Sequence, residues 1–160
     1  MSEDKLAHFP PVKQHSESSH SKQNSPSWFE YPVKAHPHHT DYAGVVWHGA
    51  YIAWMEEARV EYLSAIGIEY TDLVNSGCNL PVVDLSVRYH KPMYMGMTAV
   101  VKSRMQSMEG VKLVWEYEIA DSQTQEVFAT GHVTLVPVDA EKGKILRRLP
   151  PVLKNAIAKL

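Results

Sequence analysis

The sequence predicts an α+β domain, a single long helix laid on one face of an antiparallel sheet of about five strands. Two observations carry that prediction. Apolar residues recur at helical spacing over one stretch, from Gly49 or Ala50 to Ile66. They recur at alternating spacing in one segment before it and in four after it. A helix with one apolar stripe must bury that stripe, and a sheet with one apolar face offers the matching surface.

Met1 to about Ser27 is polar, rich in Ser, Lys, Gln and His, and lacks periodicity. Such a composition buries too little apolar surface to offset the entropy of ordering, so residues 1–27 are expected to form a flexible extension. Its start, MSEDKLAHFPPVKQ, opens acidic and has no continuous apolar core, which is unlike a secretory signal. Order begins near Trp28. Phe29, Tyr31, Val33 and Ala35 alternate with Glu30, Pro32 and Lys34, the pattern of a strand. Pro32 has no N–H to donate, which puts one side of that strand at a sheet edge. His36 to Gly49, with Pro37 and Gly44, reads as an ordered loop.

In the helix, Tyr51, Trp54, Met55, Ala58, Tyr62, Ala65 and Ile66 fall within an arc of about 120° at 3.6 residues per turn. Glu56, Glu57, Glu61 and Ser64 lie on or beside the other side, and Gly67 fits the residue just past the helix end. A short helix around Thr71 to Asn75 is stopped by Gly77. Strands are expected over Leu80–Lys91, Met97–Gln106, Val111–Ile119 and Glu126–Val136, separated by turns at Pro92–Gly96, Glu109–Gly110 and Asp121–Gln125. The ordered domain therefore spans residues 28–140. Residues 141–160 carry six Lys or Arg against one Glu, and Pro150-Pro151 can begin a last short helix there.

The bulk numbers narrow the class of function. Composition is ordinary for a globular protein, at 44% hydrophobic and 21% charged. A formal net charge of −2 supplies no electrostatic reason to bind nucleic acid. The single cysteine, Cys78, excludes an intrachain disulfide and suits a reducing compartment; with no evident base partner it reads as an inert thiol. No apolar run approaches the ~18 residues of a transmembrane span. A cytoplasmic protein is the expectation.

Chemistry concentrates in Asp41-Tyr-Ala-Gly-Val-Val-Trp-His48-Gly-Ala-Tyr51, followed by Glu57-Ala58-Arg59 in the helix. His48 falls at or beside the helix start, where backbone N–H groups lack intrahelical partners and the dipole favours negative charge. Such a site can hold a carbonyl oxygen that becomes an oxyanion. A carboxylate seven residues earlier can reach the same carbon or activate a water, and Gly44 allows the sharp turn between them. Read without that context, Asp41 is a turn residue, Tyr51 is core packing, and Arg59 pairs with Glu56 or a partner subunit. His36, His38 and His39 beside Asp41 and His48 also invite a metal reading, but H-x-H-H-x-D on a Pro-containing loop presents no single helix face of ligands.

The run D-x-x-G-x-V-x-H-x-x-Y, continuing to E-x-A-R, resembles the active-site segment of hotdog-fold thioesterases of the 4-hydroxybenzoyl-CoA thioesterase type. It is most similar to the branch related to the Tol–Pal-associated acyl-CoA thioesterases, in which a histidine precedes the helix. Leu80-Pro-Val-Val83 and Tyr89-x-Lys-Pro92 look like the family's second strand. The resemblance covers Glu30 to Val138, about two-thirds of the chain.

The resemblance implies a curved antiparallel sheet of about five strands wrapped around one long helix, and hydrolysis of an acyl-CoA thioester to a free acid and CoA, with no metal or cofactor. It makes Asp41 and His48 the catalytic residues, Asp41 as nucleophile or general base and the backbone of His48 as oxyanion donor. Gly44, Val46, Trp47 and Tyr51 would line the substrate site. Asp84 and Ser86 would complete it from the neighbouring copy of a homodimer or homotetramer. Arg88, Lys91, Lys102, Arg104 and the basic C-terminal segment are candidates to meet the CoA phosphates. Two alternatives stay open: an enzyme acting on acyl carrier protein, and a non-catalytic hotdog that binds acyl groups or organises partners.

Overall fold

The computed structural model describes residues 27–160, so the expectation for the N-terminal extension lies outside the described residues. Strand β1 (Phe29–Lys34) leads through a 3-10 turn at Pro37–His39 to helix α1 (His48–Ala65). The short α2 (Tyr70–Asn75) and β2 (Cys78–Asn79) follow, then β3 (Val82–Tyr89), β4 (Thr98–Glu109), β5 (Lys112–Asp121) and β6 (Val127–Leu135). β7 (Val138–Asp139) pairs with β2, and α3 (Pro151–Ile157) ends the chain. The five long strands form one antiparallel sheet in the order β1-β4-β5-β6-β3. Four of the five strands and the long helix were thus legible from periodicity, the first strand from its alternation around Pro32, and the last helix from Pro150-Pro151.

The sheet is two-faced because its side chains alternate. Val101, Met105, Trp115, Tyr117, Ile119 and Val133 point into the core, where they meet Trp54, Met55, Tyr62 and Leu63 of α1. Each such side chain removed from water contributes about 1.5–3 kcal/mol, so this layer dominates the stability of the domain. Phe29 of β1 stacks on Tyr62, and Tyr62 meets Trp115 edge-on, which carries the core across the sheet. The outer face is polar, with Lys102 paired to Glu118 at 3.0 Å and Arg104 to Glu116 at 2.8 Å across β4 and β5.

The helix departs from its expected stripe at three places. It begins at His48, one residue before Gly49; Ala65 is exposed; and Arg59 and Leu63 are buried. The stripe follows what the sheet covers rather than which residues are apolar, and the sheet covers the Arg59 side. At the other end Gly67, with φ +88°, takes the left-handed conformation. The N–H of Gly67 reaches Ser64 O at 2.9 Å and that of Ile68 reaches Leu63 O at 2.8 Å. Buried Ile68 folds back toward Leu63, so the helix end is closed by backbone and apolar contact together.

Among the described residues both outer strands have one unpaired edge, with different character. β1 presents exposed Glu30, Pro32 and Lys34. β3 presents Val82, Val83 and Leu85, each at least 41% exposed. The expected basic segment folds back on the domain: Leu153 and Ala156 of α3 are buried in the same core.

Gly131 on β6 marks a close approach of helix to sheet. A Cβ there would lie 2.8 Å from Met55 Cε and 2.9 Å from the backbone oxygen of Ser86. The methionine can swing aside, but the β3 backbone cannot move without breaking its pairing to β6. Gly131→Ala is expected to cost about 1–3 kcal/mol through overpacking, read as a lowered denaturation midpoint at unchanged m-value.

Candidate active site

The loop between β1 and α1 is built as a small hairpin. Thr40 pairs with Val46, the N–H of Asp41 donates to Val45 O at 2.8 Å, and the N–H of Gly44 donates to Asp41 O at 3.1 Å. Gly44 sits at φ +73°, the left-handed conformation that closing this turn requires. Asp41 Oδ1 accepts the N–H groups of Ala43 (2.8 Å) and Val45 (3.1 Å). The carboxylate is therefore held by one oxygen, and Oδ2 has no donor among the described residues. The hairpin is pinned from beyond as well: Val46 donates to Met93 O, and Met95 donates to Gly44 O, both at 2.9 Å.

The helix that follows starts without a cap. Trp47 occupies the N-cap position with extended backbone and no side-chain bond, and the first turn contains no acidic residue. The N–H groups of His48 and Gly49 meet no acceptor among the described residues. Most helices place Ser, Thr, Asp or Asn at this position to satisfy these donors. Here the positive end of the dipole and two free donors face the surface together. The indole of Trp47 folds over Gly49 so closely that a Cβ on Gly49 would fall inside the ring. Glycine is the residue that lets the indole lie across the helix start.

A cavity of about 340 Å³ opens at this helix start, lined by Val45, Val46, His48, Tyr51, Tyr89 and Lys91, among others. Tyr51 is fully buried and meets Tyr89 edge-on, ring centroids 5.2 Å apart. Burial pushes its hydroxyl up, partly offset by a hydrogen bond to the Met93 backbone. Lys91 is bonded to Glu126 at the cavity rim.

Tyr89 is the residue that sequence reasoning missed. Its hydroxyl donates to the carbonyl of His48 at 2.8 Å. That carbonyl and the N–H of Gly49 belong to one peptide group, so a bond to the oxygen polarises the peptide and strengthens its free N–H as a donor. No local sequence signal marks it: alternation puts it on one face with Val87, but it is partly exposed and its acceptor lies far off in the chain. Tyr89→Phe is expected to lower kcat about three- to tenfold and stability by about 1 kcal/mol. Steady-state turnover and thermal melting check the two effects separately.

The structure brings Val46, His48, Tyr51 and Lys91 to one cavity and sets Asp41, Gly44 and Trp47 on the adjoining hairpin and cap. It does not bring the other expected residues there within one chain. Asp84, Ser86 and Arg88 are exposed on β3, opposite Thr134, His132 and Thr130 on the outer face. Arg104 lies on that same face, paired with Glu116 and stacked 4.3 Å over the Trp28 ring, and Lys102 is paired with Glu118. A positive charge in sequence looks the same whether it is free or neutralised by the neighbouring strand. Arg59 also has a partner that spacing did not suggest, the hydroxyl of Tyr117 at 3.0 Å rather than Glu56. Cys78 is buried, and burial pushes its thiol up, away from the reactive thiolate.

Residues 35–157 match the model of the Thioesterase-like superfamily. The chain is 53% identical over 133 residues to the protein sll0410 of Synechocystis, covering 83% of this chain and 80% of that one. It is 28% identical over 116 residues to the acyl-CoA thioester hydrolase YbgC of Escherichia coli, covering 72% and 86% respectively. A solved structure of the DHNA-CoA thioesterase of Staphylococcus aureus superposes with a TM-score of 0.76 at 30% identity, covering 82% of this chain and 89% of that one. By its strand order, its helix and these matches, the chain has the hotdog fold and belongs to the Thioesterase-like superfamily.

Proposed function

We propose that this thioester hydrolase acts on an acyl-CoA, with Asp41 as its catalytic carboxylate and the N-terminus of α1 as its oxyanion site. The observation that carries the reading is the uncapped helix start, with two N–H groups free among the described residues and no acid in its first turn, directly after a hairpin that fixes a carboxylate by one oxygen only. A thioester carbonyl held by the N–H groups of His48 and Gly49 gains negative charge on oxygen as its carbon is attacked. Asp41 either attacks that carbon itself, to be released by water, or takes a proton from the attacking water. The C–S bond breaks, CoA leaves as the thiol, and water supplies the oxygen of the free acid. That sequence of steps draws only on the chain, the thioester and water.

Val46 and Tyr51 form the apolar wall, and Lys91 at the rim would meet a CoA phosphate by exchanging its partner Glu126 for it. Asp84 and Ser86, on the open edge strand, would reach this cavity from a second copy in a homodimer or homotetramer. A histidine at the first helical position supports a place near the Tol–Pal-associated branch. An enzyme for acyl carrier protein needs a basic patch at the cavity mouth. Arg147, Arg148 and Lys154 instead surround a separate cavity, about 850 Å³, at the β4–β5 turn. CoA is therefore the favoured carrier. Release of CoA thiol from a panel of short, long and aromatic acyl-CoA esters, by wild type and Asp41→Asn, tests the reading. Equal slow release by both proteins from every ester refutes it.

A further inference from the structure

Immediately before Asp41, three imidazoles crowd one short turn. The ring of His39 lies 3.9 Å from that of His38 and 5.6 Å from that of His36, and meets Trp54 of α1 edge-on at 5.0 Å. Its Nδ1 accepts the backbone N–H of His36 at 3.0 Å. A ring nitrogen that accepts an N–H carries no proton, so the imidazole in place is the neutral form with its proton on Nε2. The main chain of the same residue makes two further bonds. Its N–H donates to His36 O at 2.9 Å, and its carbonyl accepts the N–H of Trp47, the N-cap of α1, at 3.1 Å. One residue thus ties the entry of the Asp41 hairpin to the start of the helix.

A proton added to Nδ1 would point at the N–H of His36 and turn an acceptor into a repulsion. The surroundings also oppose the cation. His39 is partly buried, with His36 and His38 beside it in the turn and the Lys34 side chain lining the same cavity. Glu57 of α1 is the carboxylate that faces this cavity, and it already accepts the Tyr31 hydroxyl at 3.3 Å. Burial first, then His38 and His36, hold His39 below the ordinary imidazole range; Glu57 and the Lys34 backbone pull the other way. A base lowered by folding contributes fully above its unfolded value, about 6.5, and loses that contribution as pH falls from there toward the lowered value.

We propose that His39 is a positioning residue whose neutral imidazole holds the hairpin of Asp41 against α1, and whose protonation releases it. Acid then silences hydrolysis by freeing the loop that carries Asp41. The proposal rests on the reading of Asp41 as the catalytic carboxylate. His39→Asn tests it, because the asparagine oxygen can accept the His36 N–H but does not titrate. As pH falls from about 7 through and below the free imidazole value, the variant is expected to keep a larger share of its neutral-pH kcat than wild type keeps, the gap widening with each step downward. Identical acid limbs in the two proteins overturn the proposal.

Amide resonances provide a readout that needs no turnover. Those of His36 and Trp47 are expected to shift together between about pH 7 and 5 in wild type and to stay in place in His39→Asn. Shifts that are alike in both proteins, or missing from both, overturn the latch. If the amides behave as expected while no thioester is hydrolysed, the function proposed above falls and the assignment of the loop latch stands.

Discussion

Asp41→Asn is expected to lower kcat at least about a hundredfold on any acyl-CoA the wild type hydrolyses. KM and thermal midpoint should stay close to wild type. The substitution separates the turn-forming role of Asp41 from the catalytic role proposed for it. An asparagine keeps a side-chain oxygen for the N–H groups of Ala43 and Val45, so the turn that ends at Gly44 is preserved. Its amide neither attacks a carbonyl nor takes a proton from water. Asp41→Ala removes the turn bonds too and should add a stability loss of about 1 kcal/mol. Thiol release under saturating substrate, with thermal melts of both variants, distinguishes the two. Wild-type turnover in Asp41→Asn would leave the residue a turn former and nothing more.

Arg59→Ala is expected to cost about 3–5 kcal/mol, whereas Arg59→Met should cost under about 1.5 kcal/mol. Arg59 is a cation only 3% exposed, yet none of the described residues gives it a carboxylate. Nη1 donates to the Tyr117 hydroxyl, and Nε has no acceptor among the described residues. Burial, only partly countered by the adjacent guanidinium, holds the Tyr117 hydroxyl up at about 12. The pair is therefore a cation hydrogen-bonded to a neutral phenol. Burial also opposes the guanidinium charge, and the hydroxyls of Tyr117 and Tyr70 more than offset it. Alanine leaves a cavity and an unpaired hydroxyl, while methionine refills the space and removes a costly charge. Denaturant unfolding of both variants decides the point. Equal losses would mean that the core depends on the hydrogen bond rather than on the bulk of the side chain.

Much of this architecture was readable because period and packing agree. The alternation in Val111–Ile119 and Glu126–Val136 appears in the structure as inward Leu113, Trp115, Tyr117 and Ile119 beside Val133 and Leu135. The paired β2 and β7 were not readable, since two residues each display no period. Arg59 escaped the helix stripe because that stripe was drawn by residue type, and a buried cation looks like a surface residue until Tyr117 is placed over it. The Asp41 segment was legible through resemblance, and its hairpin bonds through the Asp and Gly that shape the turn. The Tyr89 contact was not, because a hydroxyl 41 positions from its acceptor leaves no local trace. Arg104 was a candidate phosphate contact by charge alone, and charge says nothing about register, which sets Glu116 opposite it.

The inequality of the two outer strands gives the sheet a direction of growth. β1 is blunted: its proline has no hydrogen to offer a newcomer, and glutamate and lysine flank it. β3 ends in open backbone beneath exposed valines and leucine. An object with one adhesive side joins once and stops, since a pair formed edge-on at β3 shows only blunted strands to the next arrival. Safety from open-ended, amyloid-like stacking thus rests at one rim on three side chains, Glu30, Pro32 and Lys34.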